Sequence, residues 1–172
     1  MTNKIKKTEY ASFYQPYITA LSDNDMGLIE NLEYSHKKAL EVLSAISKEK
    51  QIYRYAEDKW TIKEIFQHII DTERIFMYRC LRIARHDKTP LAGFEQNDYI
   101  IPSLANNKSI EQLLEEYELV RKNSIVLLKS LNNTDLKFIG NANGTQLSAR
   151  AAAFSVLGHE LWHIKIIKER YL

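Results

Sequence analysis

Apolar residues recur in four long stretches of this chain at alternating three- and four-residue intervals, the spacing that lines one face of an α-helix. The first stretch, about Met26 to Ser47, carries Ile29, Leu32, His36, Ala39, Leu43 and Ile46. The second, about Thr61 to Ala84, carries Ile62, Ile65, Ile69, Thr72, Phe76 and Ile83, with His68 on the flank of that seam. The third, about Ser109 to Leu131, carries Leu113, Tyr117, Val120, Ser124, Leu127 and Leu131. The fourth, about Ser148 to Tyr171, carries Ala149, Ala152, Val156, His159, His163 and Ile166.

Start signals support these elements. Thr61 with Glu64, and Ser109 with Gln112, have the spacing of a capping box, and Ser148 is placed to cap the fourth helix. Four amphipathic helices of this length predict an all-α four-helix bundle. Residues 1–24, with Tyr10, Phe13, Tyr14 and Tyr17, read as an N-terminal aromatic arm lying across it. The connection between helices two and three, roughly Arg85 to Lys108, is long for a compact domain. A segment of that length can run back along the whole bundle as a crossover, and it holds Phe94, Asp98 and Tyr99. Residues 1–172 are expected to form one domain.

Composition narrows the class. Five glycines and three prolines in 172 residues leave few helix breakers. The net charge of +2 comes with no basic block beyond Lys4, Lys6 and Lys7, which read as a solvated tail, so nucleic acid is not expected as a partner. The one cysteine, Cys80, excludes an intrachain disulfide and suggests a reducing compartment. There is no signal-peptide pattern, and no window approaches the roughly 18 apolar residues needed to cross a bilayer. A cytoplasmic protein with no membrane partner is the expectation. Asn107-Lys108-Ser109, Asn132-Asn133-Thr134 and Asn143-Gly144-Thr145 fit the glycosylation sequon but mean little without a secretory signal.

Candidate chemistry centres on His159-Glu160-Leu161-Trp162-His163. Four residues apart on a helix, the two histidines share one face at about 6 Å of rise. Both occupy seam positions where a bundle normally places Leu or Ile, and buried imidazoles are costly unless their nitrogens are satisfied. A divalent metal ion satisfies both at once. His68, near the inner face of another helix, is the natural third ligand, and three imidazoles match a catalytic zinc-type site with one position open. His36 competes: it could replace His68, add a fourth nitrogen, or simply occupy a polar pocket, and the last is preferred. Cys80 is excluded as a co-ligand of His68, because twelve helical residues separate them by about 18 Å. It reads as a small buried hydrophobe. Glu64 and Glu160 are candidates to orient an imidazole, against the usual solvated face. Trp60 and Trp162 read as packing anchors, and His86 as a contact to the terminal carbonyls of helix two.

Two motifs resemble a known family. Lys59-Trp60-Thr61-Ile62-Lys63-Glu64, His68 and Asp71-Thr72-Glu73-Arg74 resemble the second helix of the DinB-like superfamily. Gly158-His159-Glu160-Leu161-Trp162-His163, with Lys168-Glu169-Arg170-Tyr171-Leu172, resembles its last helix, and the stretch from Pro90 to Tyr99 its long connection. The resemblance implies a four-helix bundle with a crossover and a three-histidine site for zinc, nickel or a similar ion, which falls on His68, His159 and His163. It also implies the thiol transferases among such proteins, which use bacillithiol, mycothiol or glutathione, and a homodimer. One departure is Trp162, where relatives often carry a histidine.

The expected function is therefore that of a metal-dependent transferase acting on a small molecule with a low-molecular-weight thiol. No protein nucleophile is required for it. Arg79, Arg82 and Tyr99 are candidates to hold substrate carboxylates, against ordinary surface or packing roles. The alternatives are a metal-dependent hydrolase and a non-catalytic bundle stabilised by metal.

Overall fold

The structure, a computed structural model, describes residues 5–21 and 26–172. Residues 1–4 and 22–24 of the expected arm, Lys4 among them, and residue 25 lie outside the described residues. Four long helices make the frame: α1 Leu28–Ser44, α2 Ile62–Ala84, α3 Ile110–Lys129 and α4 Ala149–Arg170. Their starts follow the predicted caps. Thr61 Oγ1 accepts from the Glu64 amide at 3.1 Å while Glu64 accepts from the Thr61 amide at 2.8 Å. Ser109 and Gln112 do the same at 3.2 and 2.8 Å, and Ser148 Oγ accepts from the Ala151 amide at 3.1 Å.

Helix α2 packs against α3 and α4, and α1 against the same two helices. Gln67 meets Glu116 and Glu73 meets Arg121, so α2 and α3 run in the same direction. Thr61 and Lys63, at the start of α2, bond to Asn106 and to the Lys108 carbonyl, just before the start of α3. The connection between the two helices therefore returns the full length of the bundle, as its length predicts. It contains two short turns of helix, Asn97–Ile100 and Ala105–Asn107. No helix among the described residues is long and apolar enough to cross a membrane.

One departure from an all-helical chain precedes α4. Strands β1 Ile139–Ala142 and β2 Thr145–Ser148 form an antiparallel hairpin. Asn143 and Gly144 make its two-residue turn with φ of 54° and 74°, both positive, as the tightest hairpin turn requires. Leu91 of the crossover bonds to Asn141 and Asn143 at 3.0 and 2.8 Å, and Tyr10 of the arm bridges to Leu147. The hairpin thus ties arm and crossover to the same end of the bundle. Glu9 anchors the arm there: its carboxylate accepts from Arg150 Nε at 2.6 Å and from Ser148 Oγ at 3.1 Å.

The predicted seams of α2 and α4 are buried, apart from the partly exposed Ile166. Burial in both helices goes further than one seam. Every residue from Ala149 to Glu160 is buried. Small side chains (Ala149, Ala151, Ala152, Ala153, Ser155 and Gly158) let neighbours approach α4 from all sides. In α1 the seam holds at Leu32, Ala39 and Leu43 and departs toward the start of the helix. Asn31 and Ser35 are buried, whereas Ile29 and His36 are only partly covered. In α3 Arg121 is fully buried, and Leu128 replaces Leu127 at the core.

The apolar core is in two parts. One gathers Tyr10, Tyr14, Leu32, Phe76, Cys80, Leu147 and Phe154, and the other gathers Leu43, Ile65, Phe66, Ile69, Leu113 and Ile167. Each fully buried Leu, Ile or Phe contributes about 1.5–3 kcal/mol. Between the two lies a polar layer of Ser35, Thr72, Glu73, Arg121, Glu160 and His159, all buried.

Candidate metal centre

His68 comes from α2, and His159 and His163 from successive turns of α4. Their side-chain nitrogens converge. His159 Nε2 lies 3.0 Å from His68 Nε2 and 3.1 Å from His163 Nε2, and the ligating atoms of all three fall within 4.8 Å of one another. The rings are 4, 5 and 6 % exposed respectively. A tetrahedral ion with nitrogens at about 2.0–2.1 Å holds those nitrogens roughly 3.3 Å apart, close to the spacing found.

Three buried Nε2 atoms at this distance need something between them. A single proton can bridge one of the two close pairs, not both at once, because His159 Nε2 offers one site. Charging the rings is no remedy. Burial pushes His68 down to about 4 and His163, with a smaller push from His68, down to about 3. Burial and then its two neighbours hold His159 well below its ordinary value. The neutral imidazole is the ligating form, so the donor set fits a divalent ion.

Aromatic rings fix the imidazoles. The Trp60 ring lies 4.8 Å from His68 and 6.5 Å from His163 between centroids. Tyr17 and Phe76 meet His159 edge-on at 5.5 and 6.2 Å. Thr72 Oγ1 is 3.4 Å from His68 Nδ1. Trp60 is therefore more than a remote anchor. The sequence places it next to the Thr61 cap, eight residues before His68, and that spacing alone does not reveal the contact.

His36 does not join the cluster. It stacks on Tyr117 at 5.3 Å, half-buried, and burial followed by the nearby Arg121 charge lowers its pKa. Glu64 is spent at the start of α2, where it also takes Arg54 and Asn106 at 3.1 and 2.9 Å. Glu160 corrects the sequence reading more sharply, since it is neither solvated nor turned toward an imidazole. Its carboxylate is fully buried and accepts from Tyr117 Oη at 2.7 Å, from Ser35 Oγ and from Arg121. Arg121 also grips Glu73 through Nε at 3.0 Å and Nη2 at 2.8 Å. Two carboxylates thus share one guanidinium immediately behind His159. His86 stacks on Phe138 and bonds to Asp135 at 2.9 Å, away from the cluster.

A cavity of about 480 Å³ opens onto His159 and His163. Tyr14 and Tyr17 of the arm form one wall, Thr72, Phe76 and Arg79 of α2 another, and Phe94 of the crossover a third. Trp162, 49 % exposed, stands at its mouth and also borders a second groove lined by Trp60 and Tyr171. Of the crossover residues singled out from sequence, Phe94 lines the cavity. Tyr99 borders a separate shallow groove with Asp71 and Arg74.

Fold and cluster together define a class: a four-helix bundle carrying three buried histidines aimed at one point. Residues 31–167 match the DinB superfamily, and the chain belongs to it. A protein of Oceanobacillus iheyensis, named as a proposed metal-dependent hydrolase, is 24% identical over 143 residues, which cover 81% of each chain. Among solved structures, YfiT from Bacillus subtilis superposes with a TM-score of 0.75 at 14% identity, covering 83% of this chain and 82% of that one. It is described as a probable metal-dependent hydrolase with an unusual four-helix bundle topology, and the likeness is one of fold.

Proposed function

We propose that this protein is a metal-dependent enzyme whose divalent ion, zinc or nickel, would be held by His68, His159 and His163 beside the cavity that His159 and His163 line. The observation that carries the reading is the pair of Nε2 separations, 3.0 and 3.1 Å, among neutral buried imidazoles at the floor of a cavity. Such an ion supplies Lewis acidity that favours the deprotonated form of whatever thiol or water reaches it.

The nucleophile comes from outside the chain. Neither a cysteine nor a serine lines the cavity among the described residues, and Cys80 is buried with its thiol pushed up to about 12. A low-molecular-weight thiol, transferred to a small electrophile, meets that requirement. Tyr14 and Tyr17 hold their protons because burial raises both, so they serve as walls and hydrogen-bond donors rather than as bases.

Hydrolysis is the second reading, favoured by the names of the two similar proteins. It asks for a general base beside the reacting water. Glu160 is committed to Arg121, Tyr117 and Ser35. Glu95 is the one carboxylate lining the cavity among the described residues, and it accepts from Asn97 at 2.8 and 3.0 Å. A thiol needs no such base once its proton is labile, which favours transfer.

The test pairs elemental analysis with activity. Purified protein should carry about one ion per chain and His159→Ala almost none. Stoichiometric metal in His159→Ala would refute the site. A panel of small thiols with an electrophile, run beside ester and amide substrates, separates transferase from hydrolase.

A further inference from the structure

Among the described residues three arginines are buried: Arg79, Arg121 and Arg150. Arg121 faces Glu73 and Glu160, and Arg150 faces Glu9. Arg79 is 4 % exposed and has no carboxylate within ion-pair distance among the described residues. Its Nη2 donates to the Ala92 carbonyl at 2.9 Å and its Nη1 reaches Tyr14 Oη at a long 3.5 Å. A guanidinium has five N–H donors, so most of its capacity is unspent. Its charge lies 5.8 Å from each of the Phe76 and Phe94 ring centroids. Those contacts hold the cation without neutralising it. A buried charge without a counter-ion is costly unless a ligand supplies one.

Arg79 is also in the right place. His68, Thr72, Phe76 and Arg79 succeed one another along a single face of α2, at spacings of four, four and three residues. Arg79 lines the same cavity as His159 and His163. Phe76 stands between them, 5.8 Å from the guanidinium and 6.2 Å from the His159 ring, so guanidinium and imidazole are at most about 12 Å apart. Contact distances at the two ends use up about half of that span.

We infer that Arg79 binds the carboxylate of the substrate, so that the enzyme takes compact organic acids whose anionic group stands a few bonds from the reacting atom. The inference rests on the proposed metal-dependent reading for the reacting end alone. Charge selects the anion. At the Arg79 end one guanidinium and one neutral phenol, Tyr14, balance a single negative charge; a phosphate dianion would leave one charge bare between Phe76 and Phe94, and Glu95 elsewhere on the same lining counts further against it. The aromatic walls fit an apolar body between the acid and the histidines.

The experiment titrates 3-phenylpropionate, its neutral amide and phenyl phosphate into the purified protein, as isolated and again after metal has been stripped and the chelator dialysed away. Metal content is measured in parallel. The carboxylate should bind at least tenfold more tightly than the amide in both forms. Arg79→Met should abolish that preference with metal content unchanged, and Arg79→Lys should keep part of it. If wild type shows no preference, or Arg79→Met retains it, Arg79 is a packing cation and the inference fails. Tighter binding of phenyl phosphate would overturn the choice of a carboxylate. Should Arg79→Met not fold, the wild-type preference in the stripped form and the partial preference of Arg79→Lys still decide. Absence of metal from wild type would refute the metal site, yet leave the Arg79 comparison intact.

Discussion

The carbonyl oxygen of Tyr17 lies 2.0 Å from where a Cβ on Gly158 would stand. The arm can settle on α4 only because that position has no side chain. The next residue, His159, takes the edge of the Tyr17 ring at 5.5 Å. In Gly158→Ala, helix propensity gains about 1 kcal/mol. The clash is with backbone, however, and overpacking of this kind costs about 1–3 kcal/mol, so the arm is displaced. The expected outcome is a lower thermal midpoint and faster protease cleavage within residues 5–21, with helix content unchanged by circular dichroism. An unchanged cleavage rate would refute this account of the arm.

Arg121 holds two buried carboxylates, Glu73 and Glu160. Burial alone would lower its pKa, but the two acids outweigh that and hold it well above its ordinary value. Arg121→Met leaves two buried like charges without a counter-ion, although Glu160 keeps its bonds from Tyr117 and Ser35, and breaking a buried pair costs about 3–5 kcal/mol. Urea unfolding should show a loss of that order. Arg121→Met combined with Glu73→Gln and Glu160→Gln should recover much of it. A single variant within about 1 kcal/mol of wild type would contradict the coupling.

Cys80 is wholly buried and its thiol is pushed up to about 12 by burial. Only the thiolate reacts with alkylating reagents. At pH 8 the folded protein should resist iodoacetamide for hours and become fully labelled in guanidinium. Rapid labelling of the native form, followed by mass spectrometry, would contradict the packing of this face of α2.

Glu9 gives a pH dependence of defined sign. Burial alone would raise its carboxyl, but bonds from Arg150, the Lys6 amide and Ser148 outweigh that and hold it below its ordinary value. A depressed folded pKa contributes stability above the unfolded carboxyl value of about 4.3, which is lost as pH falls through the folded value. Glu9→Gln should therefore melt below wild type at pH 7, with the gap closing as pH falls below about 4. A gap that stays constant down to pH 3 would assign the loss to packing instead of charge.

The helices and the triad are legible because each announces itself locally. Thr61, Ser109 and Ser148 mark their helix starts, and His159 and His163 interrupt an apolar seam where nothing else explains them. The hairpin is another matter. Asn143-Gly144 is a strong turn signal, yet a glycosylation reading occupies the same residues, and strands of four residues are too short to show a period. Arg121 and Glu160 are hidden for a different reason. A charged residue on a helix is ordinarily solvated, and only the meeting of α3 with α4 brings them together. The contact of Trp60 with His68, eight residues on, and the Arg79 guanidinium, without a carboxylate in ion-pair distance among the described residues, likewise depend on how the chain packs and not on a local pattern.

The crossover returns alongside the bundle because α2 and α3 point the same way, and in returning it brings Phe94 to the cavity rim. The three histidines belong to two deeply packed helices, whereas much of the rim belongs to the arm and this strap. The anionic group and the histidines are thus served by the helices, while the shape of the rim is set largely by other lengths of chain. Exchanging the strap for another of equal reach would redirect which molecules are accepted and leave the three histidines where they are.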